Sequence, residues 1–392
     1  MGFTWAAPLA ACVLVLPVLA QQPAAEGADL PPEARVTPRT TSHSAAIRSA
    51  DFLLDLQNAA GAIPDAPGSR RVNEDSNMEY ALIGLGAAYD KTGRQRFLTG
   101  LESGIAWLAA REDMSSTRWR GSWHYVYSAT SPFKPIPTSP GRGIDDVRGV
   151  DATSALFAYL VWLHGRLTGD DSLALTYEQN VRAALDFVLD QNQAADGFFY
   201  SSWQLRDGTW NLWKFQYSAD QGDVYLGLRG GALLYGEPRY DGAADFLKAN
   251  VPSTFFDPKQ DRYALGRDRS GSRDLGLEGF NGIFPQGYLP WMLGADRQNR
   301  DAVAWLGANR KTDGRIVVGD GKAYALSPTV FAMGRAGLGA DPPRRSLRWL
   351  RTARPQGPFD DGCIHDTRDG GPCYPNVAGF GVIALLGWLP FS

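Results

Sequence analysis

Nearly all-apolar segments of helical length recur along this chain of 392 residues, each after a polar or glycine-rich turn. The clearest of them are MEYALIGLGAAY (78–89), ATSALFAYLVWL (152–163) and VYLGLRGGALLY (224–235). A helix that is apolar on every side must be buried on every side, whereas an amphipathic helix lies on an outer layer. Six apolar segments alternate with six amphipathic ones, and this pattern predicts two concentric rings of helices.

The predicted helices form an inner and an outer set. The inner set comprises 76–90, 151–167, 218–235, 281–293, 327–338 and 375–388. The outer set comprises 43–58, 94–111, 172–192, 239–250, 297–309 and 343–353. If all inner helices run in the same direction, their N-terminal ends meet at one face of the ring, and that face is where we expect a site.

Helix-start signals agree with these limits. Ser76-x-x-Glu79 and Ser218-x-x-Gln221 match the capping box, in which the Ser and Glu or Gln side chains bond the free backbone N–H groups of the first turn. Asp151 stands where it can cap the second inner helix.

The connections after the outer helices resemble one another, with a glycine that we expect to end the helix in a left-handed conformation. We expect a short β-hairpin after each such glycine. The best examples are Gln57–Gly61 and Gln191–Gly197, and 313–314 and 360–362 are similar. Two other connections, 112–149 and 196–216, are much longer than a helical hairpin needs, and long loops in compact domains are usually functional.

Twelve helices in alternation, joined by Asp-Gly turns, resemble the (α/α)6 toroid of the six-hairpin glycosidase type over residues 43–388. The resemblance implies an all-α fold with short β-hairpins in the loops. Similar toroids serve glycoside hydrolases, some polysaccharide lyases and epimerases, and terpenoid cyclases and prenyltransferases. The fold alone does not choose among these activities, so the site must decide.

Acidic residues collect at the starts of the inner helices. Glycoside hydrolysis requires a carboxylic acid and a second carboxylate, which lie farther apart in inverting enzymes than in retaining ones. The toroids that this chain resembles mostly invert when they hydrolyse, and they need no cofactor. We therefore expect an acid/base pair from a pool of four residues: Asp75, Asp146, Asp151 and Asp220. The alternative is that these acids only cap helices and interact with their dipoles.

The two long loops are rich in aromatic residues, whose flat rings suit the C–H faces of sugars. We expect the following side chains to contact a carbohydrate substrate: Glu74, Trp119, Trp123, His124, Trp210, Trp213, Tyr217 and Glu278. The alternative is that the aromatic rings pack the loops onto the helices.

Two further functions stay open. His124 with Tyr125 or Tyr127 could supply the base of a polysaccharide lyase or uronyl epimerase, with Arg148 as the group that neutralises the substrate carboxylate. A glycan-binding toroid without catalysis would have the same aromatic platforms. A terpenoid cyclase fits poorly, because Asp145 and Asp146 lack the third aspartate at the spacing of a metal motif.

Composition and the N-terminal segment indicate where the protein is located and which partners it lacks. The formal net charge of −3 gives no electrostatic case for nucleic-acid binding. Residues 1–20 match a signal peptide and are too short for a good membrane-spanning helix. Residues 21–42 have the composition of a disordered leader, and 43–392 then form the toroid. We expect an exported, periplasmic or secreted monomer.

The two cysteines after the predicted signal peptide, Cys363 and Cys373, are expected to form a disulfide in an exported chain. A zinc site is disfavoured, since His365 is the one histidine nearby and no second pair of ligands follows. We expect neither a metal nor a cofactor.

Overall fold

Helices alternate between buried and half-exposed as the sequence predicts. The computed structural model describes residues 41–391 apart from 139–142, 278–281, 355, 361 and 368–370, so the expected signal peptide and most of the expected leader lie outside the described residues. The helices described are α1 (Ser42–Leu56), α2 (Asn77–Thr92), α3 (Gln95–Ala109), α4 (Asp151–Thr168), α5 (Ser172–Thr176), α6 (Glu178–Phe187), α7 (Ser218–Tyr235), α8 (Pro238–Phe255), α9 (Pro285–Leu293), α10 (Arg297–Ala308), α11 (Leu326–Gly337), α12 (Arg344–Leu350) and α13 (Pro375–Leu386).

The inner helices close into a ring. In order they are α2, α4, α7, α9, α11 and α13; each packs against the next, and α13 packs back against α2. The outer helices lie against this ring from outside, so that α1 contacts α13 and α2, α3 contacts α2 and α4, and α6 contacts α4 and α7. The (α/α)6 toroid is thereby confirmed. Every helix that the structure describes is too short or too polar to traverse a lipid bilayer.

Small residues let the inner helices approach closely. A Cβ at Gly84 of α2 would lie 2.6 Å from the Cα of Gly379 in α13. At another contact in the ring, a Cβ at Gly227 of α7 would lie 2.2 Å from the carbonyl oxygen of Ala155 in α4. Interiors are packed to near-crystalline density, so a larger side chain at either glycine would force the helices apart.

The strands are short, antiparallel and confined to the connections, as expected. They are β1 (Arg71–Val72), β2 (Tyr127–Ser128), β3 (Asp146–Arg148), β4 (Ser202–Arg206), β5 (Thr209–Trp213), β6 (Phe215–Tyr217), β7 (Phe256–Asp257), β8 (Arg262–Tyr263), β9 (Gly266–Asp268), β10 (Arg273–Asp274), β11 (Phe359–Asp360) and β12 (Cys363–Ile364). The pairings are β1 with β2, β7 with β8, β11 with β12, and the three-stranded sheets β3-β4-β5 and β10-β9-β6.

The turn glycines occupy the hairpins rather than the helix ends. Helix α1 ends at Gln57 in an extended conformation, so the expectation that the glycine terminates the outer helix is wrong. Gly61 and Gly362 both have φ of 92°. A Cβ at Gly61 would lie 2.1 Å from the Ser103 oxygen of α3, and a Cβ at Gly362 would lie 2.5 Å from the Arg48 oxygen of α1. The inner helices α2, α4, α7 and α13 are the ones that end on left-handed glycines.

Two other local predictions are also wrong. The outer helix expected over 172–192 is interrupted at Tyr177 and finishes in a π-helical turn, Val188–Asn192. Neither capping box forms. Ser76 makes no cap and Ser218 donates its hydroxyl to the carbonyl oxygen of Ala264, because tertiary partners compete successfully for both side chains.

Candidate active site

A strained turn leads into α2. It comprises Asn73 and the 3-10 turn Glu74–Ser76, and three of its residues have left-handed backbone angles: Asn73 (φ 60°), Asp75 (φ 55°) and Ser76 (φ 62°). Such conformations cost of order 1–3 kcal/mol each outside glycine, and they concentrate at functional sites. The contacts around the turn hold it in this conformation, with the side chain of Asp75 exposed.

The side chain of Asn73 holds this turn from within. Its Oδ1 accepts a hydrogen bond from the Met78 N–H at 3.0 Å, and its Nδ2 donates to Glu79 Oε1 at 3.0 Å. Glu79 is fully buried, and its Oε2 has no hydrogen-bond partner among the described atoms. Burial raises the pKa of Glu79 to about 8, so this carboxyl is mostly protonated at neutral pH.

Two neighbouring segments hold the turn from outside. The buried carboxylate of Asp65 accepts hydrogen bonds from the Glu74 N–H at 3.1 Å and from Asn77 Nδ2 at 3.3 Å. The hydroxyl groups of Ser76 and Thr153 lie 2.8 Å apart, which ties the turn to α4. The position of Asp75 is therefore fixed by contacts from two sides.

Asp75 combines an exposed side chain with a perturbed acidity. Burial, and then the neighbouring Glu74 carboxylate, raise the pKa of Asp75 to about 6 although solvent reaches the side chain. The two observations agree if water contacts the carboxyl group on one side while protein fills most of the volume around it. Glu74 itself accepts a hydrogen bond from Arg71 at 2.8 Å.

Two further carboxyl groups come from the start of α7. Asp220 is partly exposed, and burial together with the Asp223 and Asp75 carboxylates holds its pKa well above the usual range. Asp223 is fully buried and accepts hydrogen bonds from the hydroxyls of Tyr80 at 2.8 Å and Tyr288 at 2.5 Å. Burial raises the pKa of Asp223 to about 7 in spite of those two bonds.

Asp151, the first residue of α4, is the remaining member of this carboxyl cluster. One of its oxygens accepts the Ala152 N–H at 2.9 Å, and the other has no partner among the described atoms. Burial and the Asp220 and Asp223 carboxylates hold its pKa well above the usual range. Since Asp151 has no exposed surface, a molecule in solution cannot contact it directly.

Aromatic rings from several inner helices pack together next to these acids. Tyr80 of α2 lies 4.7 Å from Phe380 of α13, and Phe284 stacks on Tyr288 of α9 at 4.3 Å between ring centroids. The hydroxyl groups of Tyr80 and Tyr288 donate hydrogen bonds to Asp223, so these packed rings contact the carboxyl cluster directly.

Asp146 belongs to a different neighbourhood. It lies on β3, not at a helix start, and its Oδ2 is 3.3 Å from Nδ1 of His124. Its other oxygen accepts hydrogen bonds from the Thr138 hydroxyl and the Val147 N–H. These partners all belong to the long loop before α4, so we leave Asp146 out of the acid/base pair.

Three tryptophans pack together where the two long loops meet. Trp119 contacts Trp210 at 4.9 Å and Trp203 at 5.8 Å between ring centroids, and Arg118 lies over two of the three rings. The rings of Trp119 and Trp210 keep exposed surface, as sugar platforms need. Trp203 was not among the expected contacts, although its place on β4 opposite β5 puts it in the same cluster.

The other expected contacts divide between surface and core. Trp213 on β5 and Tyr217 beside Phe215 are both partly exposed. Trp123 is fully buried and donates its indole N–H to the Leu108 carbonyl at 2.8 Å, so it packs the loop onto the ring and offers no surface to a substrate. Glu278 lies outside the described residues.

No protein-family model and no curated protein sequence matches the chain. Solved structures do match. A glycosidase with a Glu-to-Ala substitution is 16% identical with a TM-score of 0.59, over 88% of this chain and 95% of that one. A glycosidase variant in complex with glucose is 15% identical with a TM-score of 0.56, over 88% and 95%.

An alpha-1,6-mannanase of Salegentibacter sp. HEL1_6 is 10% identical with a TM-score of 0.57, over 88% of this chain and 98% of that one. The fold is the toroid of these glycosidases. At such low identity the likeness concerns the fold alone. An inactive variant of the mannanase, in which two aspartates are replaced, is known with alpha-1,6-mannotetrose bound.

The expected disulfide joins Cys363 and Cys373, whose Cα atoms are 5.8 Å apart. Donor atoms of these cysteines and of His365 lie within 4.8 Å of one another. Zinc binds cysteine as a thiolate, and disulfide sulfurs are not thiolates, so the bonded form of this cluster does not suit a zinc ion.

Proposed function

We propose that this protein is an exported glycoside hydrolase that cleaves a poly- or oligosaccharide with inversion, using Asp220 as the general acid and Asp75 as the general base. The observation that carries the proposal is the convergence of carboxyl groups with raised pKa values at the starts of α2, α4 and α7. Clusters of this kind are typical of catalytic sites.

Accessibility selects the pair. A group that transfers a proton to or from substrate must be reachable by it, and Asp151, Asp223 and Glu79 are fully buried. Asp75 and Asp220 retain exposed surface.

The protonation states then assign the roles. With a pKa of about 6, Asp75 is ionised at neutral pH and can accept a proton from water. Burial and neighbouring carboxylates raise the pKa of Asp220 well above its usual range, which favours the protonated form that can donate to the glycosidic oxygen. Acid/base hydrolysis requires one carboxyl group that holds a proton and one that is ionised.

In the proposed reaction the Asp220 carboxyl protonates the glycosidic oxygen as the bond to the anomeric carbon breaks. Asp75 takes a proton from a water molecule that attacks that carbon from the opposite face, so the product has the inverted configuration. Asp223 supports the acid because its carboxylate makes ionisation of Asp220 less favourable.

The substrate contacts in this proposal come from the long loops, chiefly Trp119, Trp210, Trp213 and Tyr217, with Glu74 beside the base. Stacking of sugar rings on exposed aromatic side chains supplies binding energy without fixing the order of the sugars. The predicted signal peptide and the disulfide support export, and we expect the protein to act as a monomer.

The test uses a panel of neutral and uronic-acid-containing glycans, including alpha-1,6-linked mannan. Newly formed reducing ends are followed together with the ultraviolet absorbance of unsaturated uronyl ends. We expect reducing ends without absorbance, and nuclear magnetic resonance of the first-formed product should show the inverted anomer.

Substitutions then test the two roles. Asp75→Asn and Asp220→Asn should each lower the rate by about 10²–10⁴-fold, the usual contribution of general acid or base catalysis. An aryl glycoside with an acidic leaving group should restore much of the rate to Asp220→Asn but not to Asp75→Asn. Asp301→Asn on the outer helix α10 is the matched control. Near-normal rates in both site variants would refute the assignment.

A lyase or epimerase is the second candidate, and the contact between His124 and Asp146 favours it. Two observations oppose it. Burial raises the pKa of Tyr127 well above its usual value, which makes it a poor base, and Arg148 is already paired with Asp113 at 2.5 Å. Absorbance of unsaturated ends that depends on His124 would favour this candidate, and binding without turnover would indicate a glycan-binding protein.

A further inference from the structure

A concavity lies near the turn that carries Asp75. Its volume is about 760 Å³, and we call it the loop groove. Tyr127 in its wall pairs with Val72 of β1, directly before the strained turn, so the groove adjoins the proposed catalytic cleft. It is lined by residues 110–115, His124, Tyr127, 132–135 and Arg148.

The groove contains two cations without a carboxylate partner among the described residues, Arg111 and Lys134. The guanidinium of Arg111 is held between two rings, 4.9 Å from Trp107 and 4.8 Å from Phe133, and it is half-buried. Burial lowers the pKa of Arg111, which indicates a charge that water solvates poorly. Lys134 is exposed at the mouth of the groove.

The acids of the groove do not offset these charges. Asp113 is occupied by Arg148 at 2.5 Å. Burial raises the pKa of Glu112 to about 8, so it is largely uncharged at neutral pH, and Asn180 donates a hydrogen bond to it at 2.7 Å. At neutral pH the groove is therefore positive, in contrast to the carboxyl-rich cleft beside it.

We propose that the loop groove binds the anionic group of a sugar residue next to the cleaved linkage, so that the substrate is an acidic glycan. This proposal rests on the proposed hydrolase function. The anion is a carboxylate or a sulfate ester, which present the same charged oxygens to Arg111 and Lys134.

Two features of the groove suit that ligand. A guanidinium already stacked between rings loses little conformational freedom on binding, and it can donate paired hydrogen bonds to a planar carboxylate. The catalytic cluster would repel a second anion, because a negative charge raises further the energy of ionising Asp75. An acidic sugar is accordingly favoured in the groove and disfavoured at the cleavage point.

Binding is measured by calorimetry with the Asp220→Asn protein, which prevents turnover. The probes are a uronic-acid trisaccharide, the corresponding neutral trisaccharide, a sulfated neutral trisaccharide and inorganic sulfate. We expect one or both anionic trisaccharides to bind more tightly than the neutral one, by about tenfold at low salt, and the difference to shrink as ionic strength rises.

Variants locate the interaction. Arg111→Gln should weaken binding of the anionic trisaccharide about tenfold, as expected for a lost charge-assisted hydrogen bond, and leave the neutral one unchanged. Lys134→Gln should weaken it about threefold, and because the residue is exposed this variant should fold normally. Lys248→Gln, an exposed lysine on α8, removes the same charge and should change nothing. Arg111→Lys should retain part of the preference.

The proposal is overturned if Arg111→Gln and Lys134→Gln bind the anionic trisaccharides as the parent protein does, or if inorganic sulfate competes as strongly as the glycan. That failure is separable from failure of the hydrolase. If Asp75→Asn and Asp220→Asn lose turnover while the groove variants bind anions normally, the hydrolase proposal stands and the groove proposal fails. If Asp220→Asn keeps its turnover while anion binding depends on Arg111, the groove proposal stands and the hydrolase assignment fails.

Discussion

Glu79→Gln tests whether the buried carboxyl groups destabilise the folded protein at neutral and alkaline pH. The replacement keeps the shape of the side chain, and the amide oxygen can still accept the hydrogen bond that Asn73 donates at 3.0 Å. The other oxygen, Oε2, has no partner among the described atoms, and the amide nitrogen that replaces it would find none among them either. What the substitution removes is the ability to ionise in a site that burial makes unfavourable for charge.

The magnitude follows from the displaced pKa. In the folded protein the pKa of Glu79 rises from 4.5 to about 8, so the folded state binds a proton more tightly than the unfolded chain. Stability is therefore fully present below pH 4.5 and falls as the pH rises through the interval up to about 8. A shift of this size corresponds to about 5 kcal/mol once both states are ionised, and relaxation around the charge lowers the expected effect to about 3 kcal/mol.

Urea unfolding at pH 5, 7 and 9, followed by both circular dichroism and tryptophan fluorescence, measures this difference. At pH 5 the two proteins should agree within about 1 kcal/mol, and at pH 9 Glu79→Gln should be the more stable by about 3 kcal/mol. Glu178→Gln, on the outer surface of α6, is the matched control and should follow the parent at every pH. A difference between parent and Glu79→Gln that stays constant from pH 5 to pH 9 would refute the reasoning.

The proposed base predicts the pH dependence of turnover: kcat/KM should fall below about pH 6, where Asp75 becomes protonated, and Glu74→Gln should move this limb to lower pH because it removes a like charge. Gly362→Ala should destabilise the protein by roughly 2–3 kcal/mol in urea unfolding, since the new Cβ would meet the Arg48 oxygen of α1 at 2.5 Å in a left-handed turn. Gly93→Ala is its control, with a left-handed glycine but open space around it, and should cost about 1 kcal/mol. Equal losses in the two alanine variants would mean that backbone conformation alone, without the helix contact, explains both.

The inner ring could be predicted from the sequence because burial on all sides leaves a direct trace in composition. Helix α4 begins at Asp151 and α7 spans Ser218–Tyr235, both as expected, since few polar residues are tolerated there. The break in the outer helix at Tyr177 carries no such trace. Its neighbours include neither proline nor glycine, and an amphipathic stripe continues across it, so only packing against the ring reveals the interruption.

The carboxyl cluster could be predicted in position but not in membership. Asp75 and Asp220 belong to the predicted pool because they stand at inner-helix starts, and the structure brings their charges close enough to interact. Asp146 stands near one as well, yet the chain between it and α4 takes the form of a strand that directs it to His124. Asp65 carries no sequence signal at all, because its contact with the strained turn is made across a loop that local patterns do not describe.

The alternative that these acids merely cap helices can be judged from their acidity. A carboxylate that stabilises a helix start gains about 0.3–2 kcal/mol from the dipole, and that gain lowers its pKa. Glu79, Asp151 and Asp220 all lie in first helical turns, yet the pKa of each is raised, and for Glu79 the change to about 8 corresponds to about 5 kcal/mol in the opposite direction. Burial and mutual repulsion therefore outweigh the dipole at all three helix starts. An arrangement that opposes stability at three neighbouring positions is the expected signature of carboxyl groups placed for chemistry, and it favours the proposed hydrolase over a toroid whose acids serve only as caps.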